Sequence, residues 1–190
     1  MGKNIKALND LHKATEKAVG LVAAEFDFAR ELLDDLQEIQ THRDPNNLRP
    51  IRKGFRLLRW IGRAERKVDR SLKNNLKELE QLNNILPPSL KPKKDDLASK
   101  LTIAQRQLIT LASTFRGRVK GELDSILKDQ KQLDRYSKNP KEAERLRFNL
   151  QIMLKLAEAD VQKLVTWTSS VEAILQELEQ YEQELEKMAA

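Results

Sequence analysis

Cysteine is absent from this chain of 190 residues, and histidine occurs only twice. Without thiols the chain has no disulfide, no thiolate nucleophile and no cysteine-ligated zinc or iron–sulfur centre. Carboxylate-bridged metal sites in helix bundles need inward Glu-x-x-His spacings, and the nearest match, Glu38 with His42, is one residue too long. The sequence contains no Gly-rich phosphate loop and no nucleophile elbow. We therefore expect a non-enzymatic protein with no catalytic residue, no metal site and no cofactor.

Glycine and proline are scarce, at six residues each, and aromatic residues make up only 5% of the chain. Charged residues make up 34% and apolar residues 39%, a balance typical of long helices rather than of sheets. The prolines fall at positions 45 and 50, at 87, 88 and 92, and at 140. Since proline interrupts helix interiors, these positions mark connections. The apolar spacing between them predicts helices over about residues 4–41, 50–86, 95–137 and 140–188.

The fourth predicted helix has the most regular apolar pattern. Leucine, valine or alanine recurs every seven residues from Leu150 to Leu185, and a second column of larger side chains beside it is interrupted only by Asp160. A sustained repeat of seven predicts left-handed packing of coiled-coil type. Asp160 then either sets the register as a polar core residue or is rotated outward.

This apolar stripe is wider than two strands need, and the predicted connections are short. The sequence therefore predicts an all-α protein with a single domain over residues 1–190. Its architecture is expected to be an elongated, antiparallel, up-down-up-down four-helix bundle with coiled-coil-like packing. Exchange of two helical hairpins between protomers is the alternative, because long helices with short hinges permit it.

Long apolar runs are missing. The longest, around Val19–Ala24, is far shorter than the roughly 20 residues that a membrane-spanning helix needs, so we expect no transmembrane segment. The N-terminal stretch has no apolar region of the kind that marks a secretory signal. A cytoplasmic protein is the expectation that follows.

The formal net charge of +6 is unevenly distributed along the chain. Residues 48–94 contain fourteen basic and four acidic residues, a net charge of +10. Nine of these basic residues follow one another in steps of three or four, which places them along one outward face of the second helix. At 1.5 Å per residue, this basic row extends over about 42 Å. The basic row consists of Arg49, Arg52, Arg56, Arg59, Arg63, Arg66, Arg70, Lys73 and Lys77.

Like charges three or four residues apart cost about 0.2–0.5 kcal/mol per pair on an isolated helix. Something negative is therefore expected to lie against the basic row, and in one interpretation it is the chain itself. The second half of the first helix is acidic, and an antiparallel hairpin brings that half beside the row. The acidic residues concerned are Glu25, Asp27, Glu31, Asp34, Asp35 and Glu38.

In the other interpretation the basic row binds a polyanion. Seven of its nine members are arginine, whose planar fork of donors suits phosphate groups, so the row can follow a nucleic-acid backbone or anionic headgroups. Trp60 flanks the row and either stacks on a base or is half-buried against the next helix. No helix-turn-helix, RNP motif or zinc finger accompanies the row, which limits recognition to backbone or shape.

Two functions follow from these patterns. The first is a non-enzymatic bundle that binds a polyanion, with nucleic acid as the leading choice, through the basic row and Trp60. The alternative is a structural or adaptor protein that acts by coiled-coil self-association or by binding partner helices.

Overall fold

A computed structural model describes residues 2–41 and 47–189. Over these residues the chain forms four α-helices and no strand, so the predicted all-α four-helix bundle is confirmed. The helices are α1 (Gly2–Thr41), α2 (Arg49–Gln81), α3 (Lys91–Arg135) and α4 (Pro140–Ala189), and two short 3-10 helices, Leu82–Asn84 and Pro88–Leu90, connect α2 to α3. The predicted connection at Pro45 and the rejected metal ligand His42 lie outside the described residues.

Neither a membrane-spanning helix nor a group of metal-holding side chains is found among the described residues. None of the described helices combines the length and the apolar character that crossing a membrane requires. The described residues also contain no group of three or more His, Asp or Glu side chains that could hold a metal ion.

The connection between α2 and α3 differs from the predicted one. Helix α2 ends at Gln81 rather than near residue 86, and α3 begins at Lys91 rather than near residue 95. Pro92 therefore lies inside the first turn of α3, where a missing N–H is not needed and a fixed φ already suits the helix. Proline here belongs to the start of a helix and not to the loop before it.

Asn139 caps the start of α4. Asn139 precedes Pro140, the first helical residue, and the Asn139 Oδ1 atom accepts a hydrogen bond of 3.3 Å from the backbone N–H of Glu142. Such a cap satisfies one of the N–H groups that a helix start leaves without a partner. The Glu142 carboxylate accepts a 2.7 Å hydrogen bond from Arg145 instead of turning back to the cap residue.

The chain divides into two compact units, and each contains a segment of all four helices. The first unit consists of Met1–Glu25, Ala64–Thr110 and Trp167–Ala190, and the second consists of Phe26–Arg63 and Leu111–Thr166. Within each unit successive segments run antiparallel, as the up-down-up-down topology requires.

Helix α1 has a buried carboxylate on its inward face. Phe26 and Leu33 are only half-buried, whereas their neighbours Glu25 and Leu32 are fully buried. The inward column repeats every seven residues and includes a carboxylate among its apolar members. It consists of Leu11, Ala18, Glu25, Leu32 and Ile39.

Asp160 is a core residue and is not rotated outward. Its side chain is buried in the second unit, where the carboxylate lies 3.2 Å from Lys163 Nζ and 3.9 Å from Arg118 Nη1. Glu122 lies close by, and burial, together with the charge of Asp160, raises the pKa of Glu122 to about 7. Asp160 is therefore part of a small cluster of charged groups on α3 and α4.

Candidate anion-binding surface on helix α2

The basic row is exposed to solvent along its whole length. In the second unit Arg49, Arg52, Arg56, Arg59 and Arg63 are all exposed. In the first unit the remaining four members are exposed as well: Arg66, Arg70, Lys73 and Lys77.

The sequence of α2 separates the row from the core. Ile51, Leu58 and Ile61 are buried on the inward face of the helix, so the arginines between them point to the opposite face. Residues 49–63 include six basic and no acidic side chains. The outward face of this part of α2 therefore carries charge of one sign.

The acidic half of α1 does not cover the row. Glu25 and Asp35 are buried in the core, and Glu31 forms an ion pair of 3.2 Å with Lys53, which lies beside the row and is not part of it. Among the described residues, no acidic side chain lies within 4.0 Å of the basic groups of the row in the second unit. Its members there are Arg49, Arg52, Arg56, Arg59 and Arg63.

In the first unit, Lys73 of the row forms an ion pair within α2. Lys73 Nζ lies 3.0 Å from Asp69 Oδ2, and Gln105 Nε2 of α3 donates a hydrogen bond of 2.9 Å to Asp69 Oδ1. Partial burial acts to raise the pKa of Asp69, but the hydrogen bonds from Gln105 and Lys73 outweigh it and lower the pKa. Asp69 thus offsets some of the positive charge in this unit.

Trp60 contacts α1 and is also exposed to solvent. Its side chain is half-buried against α1, where its ring centroid lies 5.5 Å from that of Phe28 at an interplanar angle of 48°. The residue nevertheless remains 39% exposed. The Arg56 guanidinium carbon lies 5.8 Å from the indole centroid, which is within the range of a cation–π contact.

Arg116 of α3 approaches α2 at Gly62, a contact that the sequence did not predict. A Cβ atom at Gly62 would lie 3.9 Å from Arg116 Cδ. Gly62 is three residues after Arg59 and one before Arg63, and Arg116 is itself exposed. Only the packing of α3 against α2 in the second unit brings this residue to the row.

Comparison of the chain with protein-family models, with curated proteins and with solved structures gives no match. The function therefore has to be argued from the charge, exposure and contacts of the side chains.

Proposed function

We propose that this protein is a non-enzymatic helical-bundle protein that binds a polyanion, nucleic acid in the first place, through the basic row on α2. One observation carries the proposal. In the second unit, five arginines stand in a row, all of them exposed, with no acidic side chain of the described chain within 4.0 Å. A surface of this kind is the electrostatic footprint of a phosphate-binding protein.

A bound polyanion compensates for the repulsion among the arginines of the row. The five arginines form four successive pairs, which repel one another by about 1–2 kcal/mol in total at low salt. Solubility does not require such a row, because interspersed charges of both signs serve it equally well. A bound polyanion removes the repulsion and releases its counterions, and both effects favour the complex.

The dependence of binding on salt tests the proposal. We expect a fluorescein-labelled oligonucleotide of mixed sequence to bind with an affinity that falls linearly in a double-logarithmic plot against salt concentration. If the five arginines each engage one phosphate, the slope is about −3.5 for a single strand and about −4.5 for a duplex. Absence of binding at 50 mM salt, or a slope near zero, contradicts the proposal.

A specific observation also supports the structural or adaptor function. On α4 of the second unit, Phe148, Ile152 and Leu156 are spaced four residues apart and share one face. They are 62%, 38% and 47% exposed. Phe148 also lines a cavity of about 370 Å³ together with Ile39 and Leu133. Adjacent exposed apolar side chains are typical of interaction surfaces.

Sedimentation velocity tests self-association through this face. We expect the wild-type chain to form dimers at high concentration, because pairing buries the three apolar side chains. The variant with Phe148→Glu and Leu156→Glu is expected to remain monomeric, because dimerisation then buries carboxylates without partners. A wild-type chain that stays monomeric at every concentration contradicts this second function.

A further inference from the structure

The segment of helix α2 that belongs to the second unit cannot enter the major groove of a duplex. Its neighbours hold it on both sides, α1 through the Lys53–Glu31 ion pair at 3.2 Å and the Phe28–Trp60 ring contact, and α3 through Arg116 at Gly62. A packed helix with two neighbours at the usual 8–10 Å spacing is far wider than a major groove of about 12 Å. Contact with nucleic acid is therefore limited to groups that reach the outer face of the bundle.

Because the row is straight, it fits the phosphates of a single strand better than those of a duplex. Each step of three or four residues rises by about 4.5–6 Å, so the guanidinium groups follow one line at close intervals. The strands of a duplex wind once in about 34–36 Å around grooves of about 12 and 6 Å, and a line along its side meets phosphates only where a strand crosses. A single strand extended along the row presents its phosphates to successive arginines.

Trp60 supplies a partner for a base on the same surface. Its indole lies between Arg56 and Arg63 in helical spacing, which places the ring beside the row. Phe28 holds the indole from the α1 side, the Arg56 guanidinium lies over the ring at 5.8 Å from its centroid, and the residue stays 39% exposed. A base that stacks on this ring takes the place of Arg56. Because bases are unstacked only in single strands, an aromatic ring beside a phosphate-binding row is typical of proteins that bind single-stranded nucleic acid.

We infer that the polyanion is single-stranded nucleic acid, held by its phosphates on Arg52, Arg59 and Arg63 and by one base stacked on Trp60. This inference rests on the proposed function, since it identifies the kind of polyanion that the same row binds. An anionic membrane fits the surface less well. The outer face of α2 in the second unit offers one exposed large apolar side chain among the described residues, Trp60, whereas an interfacial helix needs an apolar face.

Fluorescence of Trp60 reports the stacking directly. The chain contains only two tryptophans, and Trp167 is buried with its indole N–H donating a 3.1 Å hydrogen bond to the Ala104 carbonyl. In the variant Trp167→Phe, excitation at a wavelength that tyrosine does not absorb therefore gives fluorescence from Trp60 alone. The probes are a twelve-nucleotide oligothymidylate, a duplex of the same length, inorganic polyphosphate, and vesicles containing phosphatidylserine.

We expect oligothymidylate to quench the Trp60 fluorescence and to bind about ten-fold more tightly than the duplex. Polyphosphate is expected to bind without quenching, because it has no base. The variant Trp60→Leu is expected to lose about ten-fold in affinity for the single strand and nothing for polyphosphate, and Trp60→Phe to keep most of the affinity because it retains a ring. Thermal denaturation tests whether both variants are folded.

The outcomes separate the two levels of the proposal. Equal affinity for strand and duplex with no quenching overturns the inference about single strands and leaves phosphate binding by the row in place. Tighter binding to vesicles than to any oligonucleotide overturns nucleic acid as the ligand. Failure of every probe to bind overturns the proposed function itself.

Discussion

Replacement of Arg52, Arg59 and Arg63 by glutamate is expected to weaken oligonucleotide binding at 50 mM salt by about a thousand-fold. Each change removes one attraction to a phosphate and adds one repulsion. At a contact distance of about 4 Å, each of these is worth about 1 kcal/mol in water. The three substitutions produce six such effects, which together correspond to a factor of about ten thousand in affinity. Salt screening lowers this factor toward a thousand. The measurement is a fluorescence-anisotropy titration of the wild-type and variant chains.

The triple variant is expected to fold as stably as the wild type. All three residues are exposed, so the substitutions leave the core unchanged. A glutamate at position 52 stands four residues before Arg56, and one at position 63 stands four residues before Lys67. Such pairs stabilise a helix by about 0.2–0.5 kcal/mol each. Loss of binding in this variant therefore cannot be attributed to unfolding, and urea denaturation checks this point.

A matched control separates the row from the net charge. Replacement of Lys138, Lys141 and Lys155 by glutamate changes the net charge by the same amount, and these residues are exposed in the same unit. This control is expected to lose no more than about ten-fold, because distant charges are screened beyond about 10 Å at 0.1 M salt. If the two triple variants lose affinity equally, binding follows the overall charge and the row has no special part in it.

Most of the fold could be predicted from the sequence, because it depends on local signals. Pro140 after a capping Asn139 fixes the start of α4, and the steps of three and four along α2 place the arginines on an outward face. Both signals are read within one helix. The prediction fails where a proline has two roles, as at Pro92, which the structure places inside the first turn of α3.

The surroundings of the row could not be predicted, because they depend on the register between helices. Arg116 reaches α2 at Gly62, and Phe28 supports Trp60, only through the way α3 and α1 pack against α2 in the second unit. Apolar periodicity shows which face of a helix is buried, but it does not fix which residue on one helix meets which residue on the next. The acidic stretch of α1 was misleading for a different reason, since Glu25 and Asp35 face the core.

The burial of Glu65 could have been predicted from its position in the sequence, although its charge suggests an exposed residue. It falls in the same seven-residue column as Ile51, Leu58, Leu72 and Leu79 of α2, and in the structure it is buried with them. Glu25 likewise falls between Ala18 and Leu32 of α1. A repeat of seven places a residue inside whatever its chemistry, and the cost of burying a charge then appears as a shifted pKa.

The stability of the protein is expected to fall as the pH rises above about 5, and Glu25 is expected to cause the largest part of this fall. Burial, and to a lesser degree the charge of Glu65, raises the pKa of Glu25 from 4.5 to about 9. Burial likewise raises the pKa values of Asp35 and Glu122 to about 7. A folded chain that holds protons which the unfolded chain has released loses stability with increasing pH.

The direction of the pH effect on stability follows from proton binding to Glu25. Below pH 4.5 Glu25 carries its proton in both the folded and the unfolded chain, and its ionisation takes nothing from the stability of the protein. Between pH 4.5 and about 9 only the folded chain holds it, so each pH unit removes up to about 1.4 kcal/mol. Above pH 9 the loss is complete. The variant Glu25→Gln is neutral at every pH, so its free energy of unfolding is expected to exceed that of the wild type by about 4 kcal/mol at pH 8 and to be similar at pH 5.

Urea denaturation at intervals from pH 5 to pH 9 measures this difference, with Glu80→Gln as the control because Glu80 is exposed in the same unit. The control is expected to retain the wild-type fall in stability, because Glu80 is exposed and its replacement leaves Glu25 buried. The fall that remains in Glu25→Gln between pH 5 and about pH 7 is then expected from Asp35 and Glu122, whose pKa values burial raises to about 7. Equal slopes for Glu25→Gln and the wild type would show that Glu25 ionises in the folded chain as it does in water. The buried column of α1 would then have to admit solvent at this position.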